Sequence, residues 1–398
     1  MDRVPFLRAR AADARAQLTW LNGELAALRQ VSPARAPLFE RLTEELAIAR
    51  ARLSDLDTLI SAAYPTLMSR AMETMHLLDA RLSKVGVSYL AALQKEGDAE
   101  KAVRGILFAA AQTAGTTWIR DVVVRLDGPH AVFVAFPEFP VVTAPPRHAV
   151  SLYDMPGLYH ELGHVAFRRY PAISDDLRAT VDRHFAAASN AAGPLSPAAR
   201  VSREQHLADA RETWTTERLA EVFCDAFATY VCGPAHYISL VDLGFGDVRD
   251  PHTSKVGHPP DSARERVCFE TLTLPQRREA VVQLAHRTWL AHLNGRHPGH
   301  QYRLSCPDTL LRELVGASLA AIVRDLPEAV RYNTPLPHPA DLDATPGGLR
   351  LEEIFNRAAA LLLLAPDRYH RWEPWAMETC RLIGAEAARR REIAHMAS

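Results

Sequence analysis

The sequence predicts a mostly α-helical protein with a small β-sheet, an α+β fold. Apolar residues recur three and four positions apart through the first 113 residues, which is the spacing of amphipathic helices. β-branched and aromatic residues then cluster in TTWIRDVVVRL, HAVFVAF and FPVVTAP, which predicts two or three strands. Helical spacing returns near residue 156. We therefore expect an N-terminal helical region over 1–113, a core over 114–275, and a C-terminal helical region over 276–398 that packs on the core.

The N-terminal region is predicted to form a helical hairpin or bundle. Pro33 and Pro37 separate two leucine-rich segments, and two further helices are expected over 65–82 and 98–112. The leucines that carry the pattern are Leu18, Leu21, Leu25, Leu28, Leu42, Leu46, Leu53 and Leu56. Because the leucine heptads are not sustained, a bundle is favoured over a coiled-coil arm. A protein partner that binds these helices stays open as the second interpretation.

Prolines and segments rich in Gly, Pro and His indicate where the strands, the loops and the later helices lie. Pro140, Pro145 and Pro146 predict that the third β segment is an edge strand, since proline donates no backbone hydrogen bond. Loops rich in Gly, Pro and His are expected over 243–260, 294–307 and 333–347. Helices are predicted over 156–169, 174–190, 202–231, 261–270, 275–292, 308–324, 350–364 and 372–395.

Composition limits the classes of function. The 398 residues are 48% apolar and 23% charged with a net charge of −1, which is typical of a soluble globular protein. Without a basic stripe or a long apolar run, we expect neither a nucleic-acid partner nor a membrane partner. The five cysteines form no Cys-x-x-Cys pair, so neither a disulfide framework nor a zinc knuckle is expected. This pattern favours a cytoplasmic protein.

The stretch LYHELGHVAF, residues 158–167, contains a candidate metal site. On a helix, His160 and His164 lie one turn apart on the same face, so both imidazoles reach one ion. Glu161 lies about 100° around the helix from His160, where a general base for a metal-activated water would be. The neighbouring residues are uncharged, which predicts a buried helix. A buried structural pair of histidines is the alternative.

A second candidate segment is TERLAEVFCDAFATYVCGP, residues 216–234. Glu217, Glu221 and Asp225 recur every four residues, so they share one helix face. The other positions are largely apolar, which predicts an internal helix whose carboxylates need partners. A metal and its histidines would satisfy them. The alternative, pairing with Arg211 or Arg218 on an exposed stripe, suits Glu217 better than the other two acids. Cys224 is expected to be a core residue that points away from both Glu221 and Asp225.

Together the two segments resemble the active site of the gluzincin branch of zinc metallopeptidases, to which thermolysin belongs. The resemblance covers about residues 116–235 and implies a zincin-like core. It implies Zn²⁺ as the cofactor, with His160, His164 and Glu221 as ligands. It also implies that Asp225 hydrogen-bonds and orients His160. Glu161 would then act as the general base.

A third segment, GHPPDSARERV at 257–267, resembles the His-Pro-x-x-x-x-Arg segment that follows the ligand helix in several zinc peptidases. It implies that His258 is a catalytic residue that stabilises the oxyanion. Arg264, Tyr230, His236 and Tyr237 remain rival donors. A structural interpretation, in which the prolines and Asp261 merely begin a helix, also stays open. The histidines of 292–300 are expected to lie in a polar surface loop and not in a second metal site.

The function expected from these residues is a cytoplasmic zinc metallopeptidase that hydrolyses peptide bonds. Its partner would be a protein or peptide substrate, bound as an extra strand along residues 139–145. One alternative is a zinc-dependent amide hydrolase with a non-peptide substrate. The other is a catalytically silent helical scaffold or regulator. The presence of Glu161 argues against the silent protein, because a structural zinc site has no use for a general base.

Overall fold

The computed structural model describes residues 4–31, 36–62, 65–83, 85, 98–119, 123–125, 134–136, 141–143, 152, 155–191, 196–245, 250–255 and 257–396. Helices make up most of these residues. We number sixteen α-helices in chain order: α1 Val4–Val31, α2 Ala36–Ala62, α3 Pro65–Ser83, α4 Asp98–Thr113, α5 Gly157–Arg169, α6 Pro171–Asn190, α7 Pro197–Glu212, α8 Thr216–Cys232, α9 Pro234–Phe245, α10 Asp261–Thr271, α11 Leu274–Arg278, α12 Ala280–His292, α13 His300–Ser305, α14 Asp308–Asp325, α15 Leu351–Leu364 and α16 Pro366–Met396. A 3₁₀ turn lies at Pro339–Asp341.

The prediction of an α+β fold with a zincin-like sheet core is wrong. The described strands are three segments of three residues each, β1 Val123–Arg125, β2 Val134–Phe136 and β3 Val141–Thr143. Strands of this length are at the lower limit for globular proteins, and the fold is mostly helical. The described strand order is β1-β3-β2, so β3 is central and the predicted edge strand is also wrong. The sequence also favours Asp154 as the N-cap of α5. Asp154 lies outside the described residues, and the described helix begins after Pro156.

The long helix predicted over 202–231 is two helices, α7 and α8. Residues 213–215 link them. Thr215 is extended and caps the start of α8, where its side chain accepts a hydrogen bond from the Arg218 backbone N–H at 3.5 Å. Trp214 in this link is buried and donates from Nε1 to the Ser305 carbonyl at 2.7 Å. No glycine or proline marks this link in the sequence, so residue spacing alone does not reveal that one helix ends at Glu212 and another begins at Thr216.

Two compact units divide the chain, and the first contains α1, α2 and α3. It comprises Met1–Asp98, Asp121–Arg125 and Glu138–Val141. Arg15 of α1 pairs with Asp57 of α2 at 2.5 Å, and Arg81 of α3 pairs with Glu45 of α2. Each pair joins the beginning of one helix to the end of the next, which makes consecutive helices antiparallel. A partner for these helices stays a prediction.

Heptad spacing is sustained through the first unit, so the prediction that it lapses is wrong. Alanines occupy several of the buried positions, which a pattern based on leucine overlooks. The buried positions, alternately three and four apart within each helix, are Leu7, Ala11, Ala14, Leu18, Leu21 and Leu25, then Phe39, Leu42, Leu46, Ala49, Leu53, Leu56 and Ile60, then Ala71, Met75, Leu78 and Leu82.

The second unit comprises Ala99–Arg120, Leu126–Pro137 and Val142–Ser398, and α8 is its central helix. Helices α5, α6, α9, α10, α14 and α15 all pack against α8. Nearly every α8 side chain from Leu219 onward is buried, as expected for a helix that is covered on all sides. The predicted division at 113 and 275 stays a prediction. None of the helices in the described ranges is long and apolar enough to cross a membrane.

A glycine–glycine contact joins α4 to α16 within the second unit. A Cβ on Gly384 would lie 2.6 Å from the carbonyl carbon of Gly105 and 2.6 Å from the Ile106 backbone N. These neighbours are backbone atoms, which cannot move aside as a flexible side chain would. The two helices therefore approach closely because neither has a side chain at the contact.

Gly384→Ala should lower the free energy of unfolding by about 1–3 kcal/mol, the typical cost of overpacking a close contact. Gly316→Ala is the matched control, since this glycine lies inside α14 and an added Cβ meets nothing within 4 Å. The control should stabilise the protein by about 0.5–1 kcal/mol, because alanine is the better helix former. Chemical denaturation measures both, and equal effects of the two changes would contradict the close contact.

Candidate metal centre

The candidate site lies where α5 packs against α8. Gly163 of α5 faces α8 so closely that a Cβ there would lie 2.9 Å from the Cα of Cys224 and 3.1 Å from its Sγ. The Gly in His-Glu-Leu-Gly-His thus allows the two helices to touch. The histidine face of α5 and the acidic face of α8 meet as a result.

The three predicted metal ligands lie together. Glu221 Oε2 is 3.4 Å from His160 Nε2, and Glu221 Oε1 is 3.2 Å from His164 Nε2. Two atoms that bind one zinc at about 2.0–2.1 Å in tetrahedral geometry lie about 3.3–3.4 Å apart. The observed separations between nitrogen and oxygen match that spacing. That these residues bind zinc stays a prediction.

The predicted orienting residue, Asp225, contacts the first histidine. Its Oδ1 lies 2.9 Å from His160 Nδ1, and its side chain has no solvent exposure. Arg264 of α10 pairs with the same carboxylate through two hydrogen bonds, Nε to Oδ2 at 2.7 Å and Nη2 to Oδ1 at 2.8 Å. Asp225 therefore faces the Nδ1 side of His160, which leaves Nε2 facing Glu221.

Buried polar atoms in the site lack hydrogen bonds. Three nitrogens lie around Glu221 Oε2: His258 Nδ1 at 3.0 Å, and His160 Nε2 and Arg264 Nη2 at 3.4 Å each. Even so, Glu221 Oε2 makes no directed hydrogen bond to any residue in the described part of the chain. A buried carboxylate oxygen that faces ring nitrogens without a directed hydrogen bond is a donor that a divalent cation would satisfy. The residues present therefore fit a divalent cation.

The charges also favour a cation here. Burial alone would lower the pKa of His160, but the Asp225 and Glu221 carboxylates outweigh it and raise that pKa to about 10. Burial raises the pKa of Glu221, yet Arg264 and the histidines hold it well below its usual range. Asp225 behaves in the same way, with Arg264 as the main opposing charge. The two acids keep their negative charge and demand positive charge nearby, which a proton or a metal ion can supply.

The general base predicted by the sequence, Glu161, is 7% exposed and so belongs to the buried face of α5. After burial itself, the charges of Glu221 and Glu161 are the main causes that raise the pKa of Cys224. Glu161 is thus close to the contact between α5 and α8. This placement is consistent with a base beside the ligands.

The rival oxyanion donors have different surroundings. His258 is the most accessible of those in direct contact with the ligand set, with 43% of its side chain exposed. Arg264 is engaged with Asp225, and Tyr237 donates to Glu265 Oε1 at 2.8 Å and lies 3.2 Å from His286 Nδ1. Tyr230 has Arg331 over its ring at 5.3 Å. Arg264 and Tyr237 are therefore occupied by other partners.

Two further side chains, Cys224 and His236, lie near His160, and the sequence pattern did not mark either as a possible metal ligand. Cys224 is buried as predicted, but its Sγ lies within 4.8 Å of ligand atoms of His160 and His164. His236 stacks on His160 with ring centroids 6.0 Å apart, and its Nε2 lies 3.6 Å from Asp225 Oδ1. The sequence feature that could mark Cys224 is its position three residues after Glu221. That Cys224 faces Gly163 is visible only in the structure. The sequence offers His236 only as a rival oxyanion donor, and no local signal predicts its stacking on His160 or its approach to Asp225.

Comparison with protein-family models, curated proteins and solved structures finds no match for this chain. The site is therefore interpreted from its own geometry.

Arg264→Leu should destabilise the metal-free protein by about 3–5 kcal/mol, because it leaves a buried carboxylate without its charge partner. Added zinc should recover part of this loss by supplying positive charge to Glu221. Arg266→Leu is the control on the same helix, since its pair with Glu270 is partly exposed and is worth under about 1 kcal/mol. Thermal unfolding with and without zinc measures both. Similar small losses in the two variants would contradict the assignment of charge.

Proposed function

We propose that this protein is a zinc-dependent metallopeptidase. One observation carries the proposal: the Glu221 carboxylate lies between His160 Nε2 and His164 Nε2 at 3.4 and 3.2 Å. Each separation is close to that of two ligands of one zinc ion, and the two run from different oxygens of the carboxylate. Glu161, the residue next to the first histidine, supplies the base that hydrolysis requires.

His160, His164 and Glu221 would hold the ion. When bound there, zinc lowers the pKa of a water molecule toward neutrality and polarises the carbonyl of the scissile bond. The histidines are the two nitrogen ligands and the glutamate is the oxygen ligand, a set typical of catalytic sites that keep one position for water.

The remaining residues act on protons and orientation. Glu161 accepts a proton from the attacking water and transfers it to the leaving amine. Asp225 Oδ1 lies 2.9 Å from Nδ1 of His160 and orients the ring, so that Nε2 faces Glu221, where it would bind the ion. Arg264 keeps Asp225 charged and fixed through its two hydrogen bonds. His258 is the proposed donor to the developing oxyanion, because its ring remains accessible to a substrate beside Glu221.

The proposed substrate is a protein or peptide. Since β3 is the central described strand, we do not assign it the predicted role of pairing with the substrate. A cytoplasmic location is part of the proposal. All five cysteines are free and buried, as is usual in a reducing compartment.

The proposal is tested with the purified chain, by metal analysis and by cleavage of an unstructured protein such as casein with and without a chelator. The wild type should carry one zinc per chain and lose cleavage on chelation. Glu161→Gln should keep zinc and lower cleavage by at least about 10²-fold, because the amide accepts no proton. The double variant His160→Ala/His164→Ala should lose both the metal and the activity.

Glu217→Gln is the matched control, since it lies one turn before Glu221 on the exposed part of α8 and should leave zinc content and cleavage unchanged. Stoichiometric zinc in the double histidine variant would refute the site. A wild type that holds zinc at the site and cleaves only small non-peptide amides would redirect the assignment to an amide hydrolase. Zinc without any hydrolysis would favour the silent scaffold.

A further inference from the structure

Two buried polar residues of α15 contact both helices of the metal centre. Glu352 and Asn356 lie one turn apart near the start of α15, and each is 1% exposed. We call them the α15 polar pair. They lie more than 120 residues from their partners in sequence. Burying a carboxyl group and an amide is costly unless both form hydrogen bonds, and both residues do so with helices of the metal centre.

Glu352 holds the metal-binding helix α5. Its Oε1 accepts a hydrogen bond from the hydroxyl of Tyr159, the residue immediately before His160. Tyr159 is fully buried, and its ring packs edge-on against Phe355 with centroids 6.4 Å apart. A tyrosine fixed at both its ring and its hydroxyl limits rotation of α5 about its axis. That rotation determines where the next side chain, His160, points.

Asn356 holds the junction between α8 and α9. Its Nδ2 donates to the carbonyl of Cys232, the last residue of α8, at 2.6 Å. Its Oδ1 accepts from the backbone N–H of Ala235 in the first turn of α9 at 2.9 Å. A single amide thus satisfies one end of each helix, which would otherwise leave buried backbone groups without partners. His236, which stacks on His160, follows Ala235 directly.

Helix α16 adds a third point of attachment. Glu373 Oε1 accepts a hydrogen bond from the backbone N–H of Leu152 at 3.0 Å, just before α5 begins. Tyr369 of the same helix donates to that oxygen as well. The C-terminal helices therefore hold α5 at two points, at Leu152 before its first residue and at Tyr159. They also hold the end of α8, and they supply no proposed ligand.

We propose that the α15 polar pair positions the metal centre: Glu352 through Tyr159 and Asn356 through the α8–α9 junction keep the histidines and Glu221 in register for one ion. This inference rests on the proposed metal site and assigns the C-terminal region a role in it. Its consequence is that zinc affinity depends on bonds that contain no zinc ligand.

The test measures zinc dissociation constants by competition with a chromophoric chelator, at a temperature where circular dichroism shows each metal-free variant folded. Tyr159→Phe and Asn356→Leu should each weaken zinc binding about 10-fold, the lower end of the cost of losing an outer partner of a metal site. Glu352→Gln should bind zinc near the wild-type affinity, because its amide oxygen still accepts from Tyr159.

Two further variants separate positioning from stability. Trp214→Phe removes a buried hydrogen bond of the same unit, from Nε1 to the Ser305 carbonyl, and should lower stability while zinc affinity is kept. Asn356→Asp keeps the acceptor for Ala235 and loses the donor to Cys232, so it should weaken binding even if Asn356→Leu does not fold.

The inference is overturned if Tyr159→Phe and the Asn356 variants bind zinc as the wild type does, or if Trp214→Phe weakens binding equally. These outcomes are independent of peptide hydrolysis. If the wild type binds zinc and cleaves nothing, the proposed peptidase activity is refuted. The positioning role is then still supported by the zinc dissociation constants of the variants. A wild type that binds no zinc would overturn both.

Discussion

Two carboxylates lie buried one turn apart on α8, the central helix of the second unit, and their charge has to be compensated there. Glu221 and Asp225 are 6% and 0% exposed, and burial of uncompensated charge is costly. Helix α5 brings imidazoles to this point, and α10 brings a guanidinium. The backbone contact at Gly163 makes the approach of α5 possible. The second unit is in effect assembled around the charge of α8.

The two acids differ in how that charge is met. Asp225 is paired with Arg264 through two hydrogen bonds, so its compensation comes from the protein itself. Glu221 has Arg264 only at 3.4 Å and depends otherwise on imidazoles, which are neutral when they bind a metal. This asymmetry supports a structural role for Asp225 and the proposed metal-binding role for Glu221. The α15 polar pair limits the rotation of α5 through Tyr159 and holds the junction between α8 and α9, so the C-terminal region contributes to the proposed site without supplying a ligand.

A feature could be predicted from the sequence when its signal lies within one helix, and could not when it depends on residues far apart in the chain. The sequence could predict that His160, His164, Glu221 and Asp225 lie together, because residue spacing within a helix is local and the buried face of each helix is visible as uncharged neighbours. The sheet core was wrong because β-branched composition does not determine strand length. The partnership of Tyr159 with Glu352 spans 193 residues and has no local signature. Heptads in the first unit were missed because alanine was not counted as a core residue.

If one zinc ion binds between α5 and α8, anomalous diffraction at the zinc edge from zinc-loaded crystals should show a single strong peak there. The peak should lie about 2.0–2.2 Å from Nε2 of His160, from Nε2 of His164 and from an oxygen of Glu221. A peak held instead by Asp225 and His236, or no peak between the two helices, would refute this zinc site.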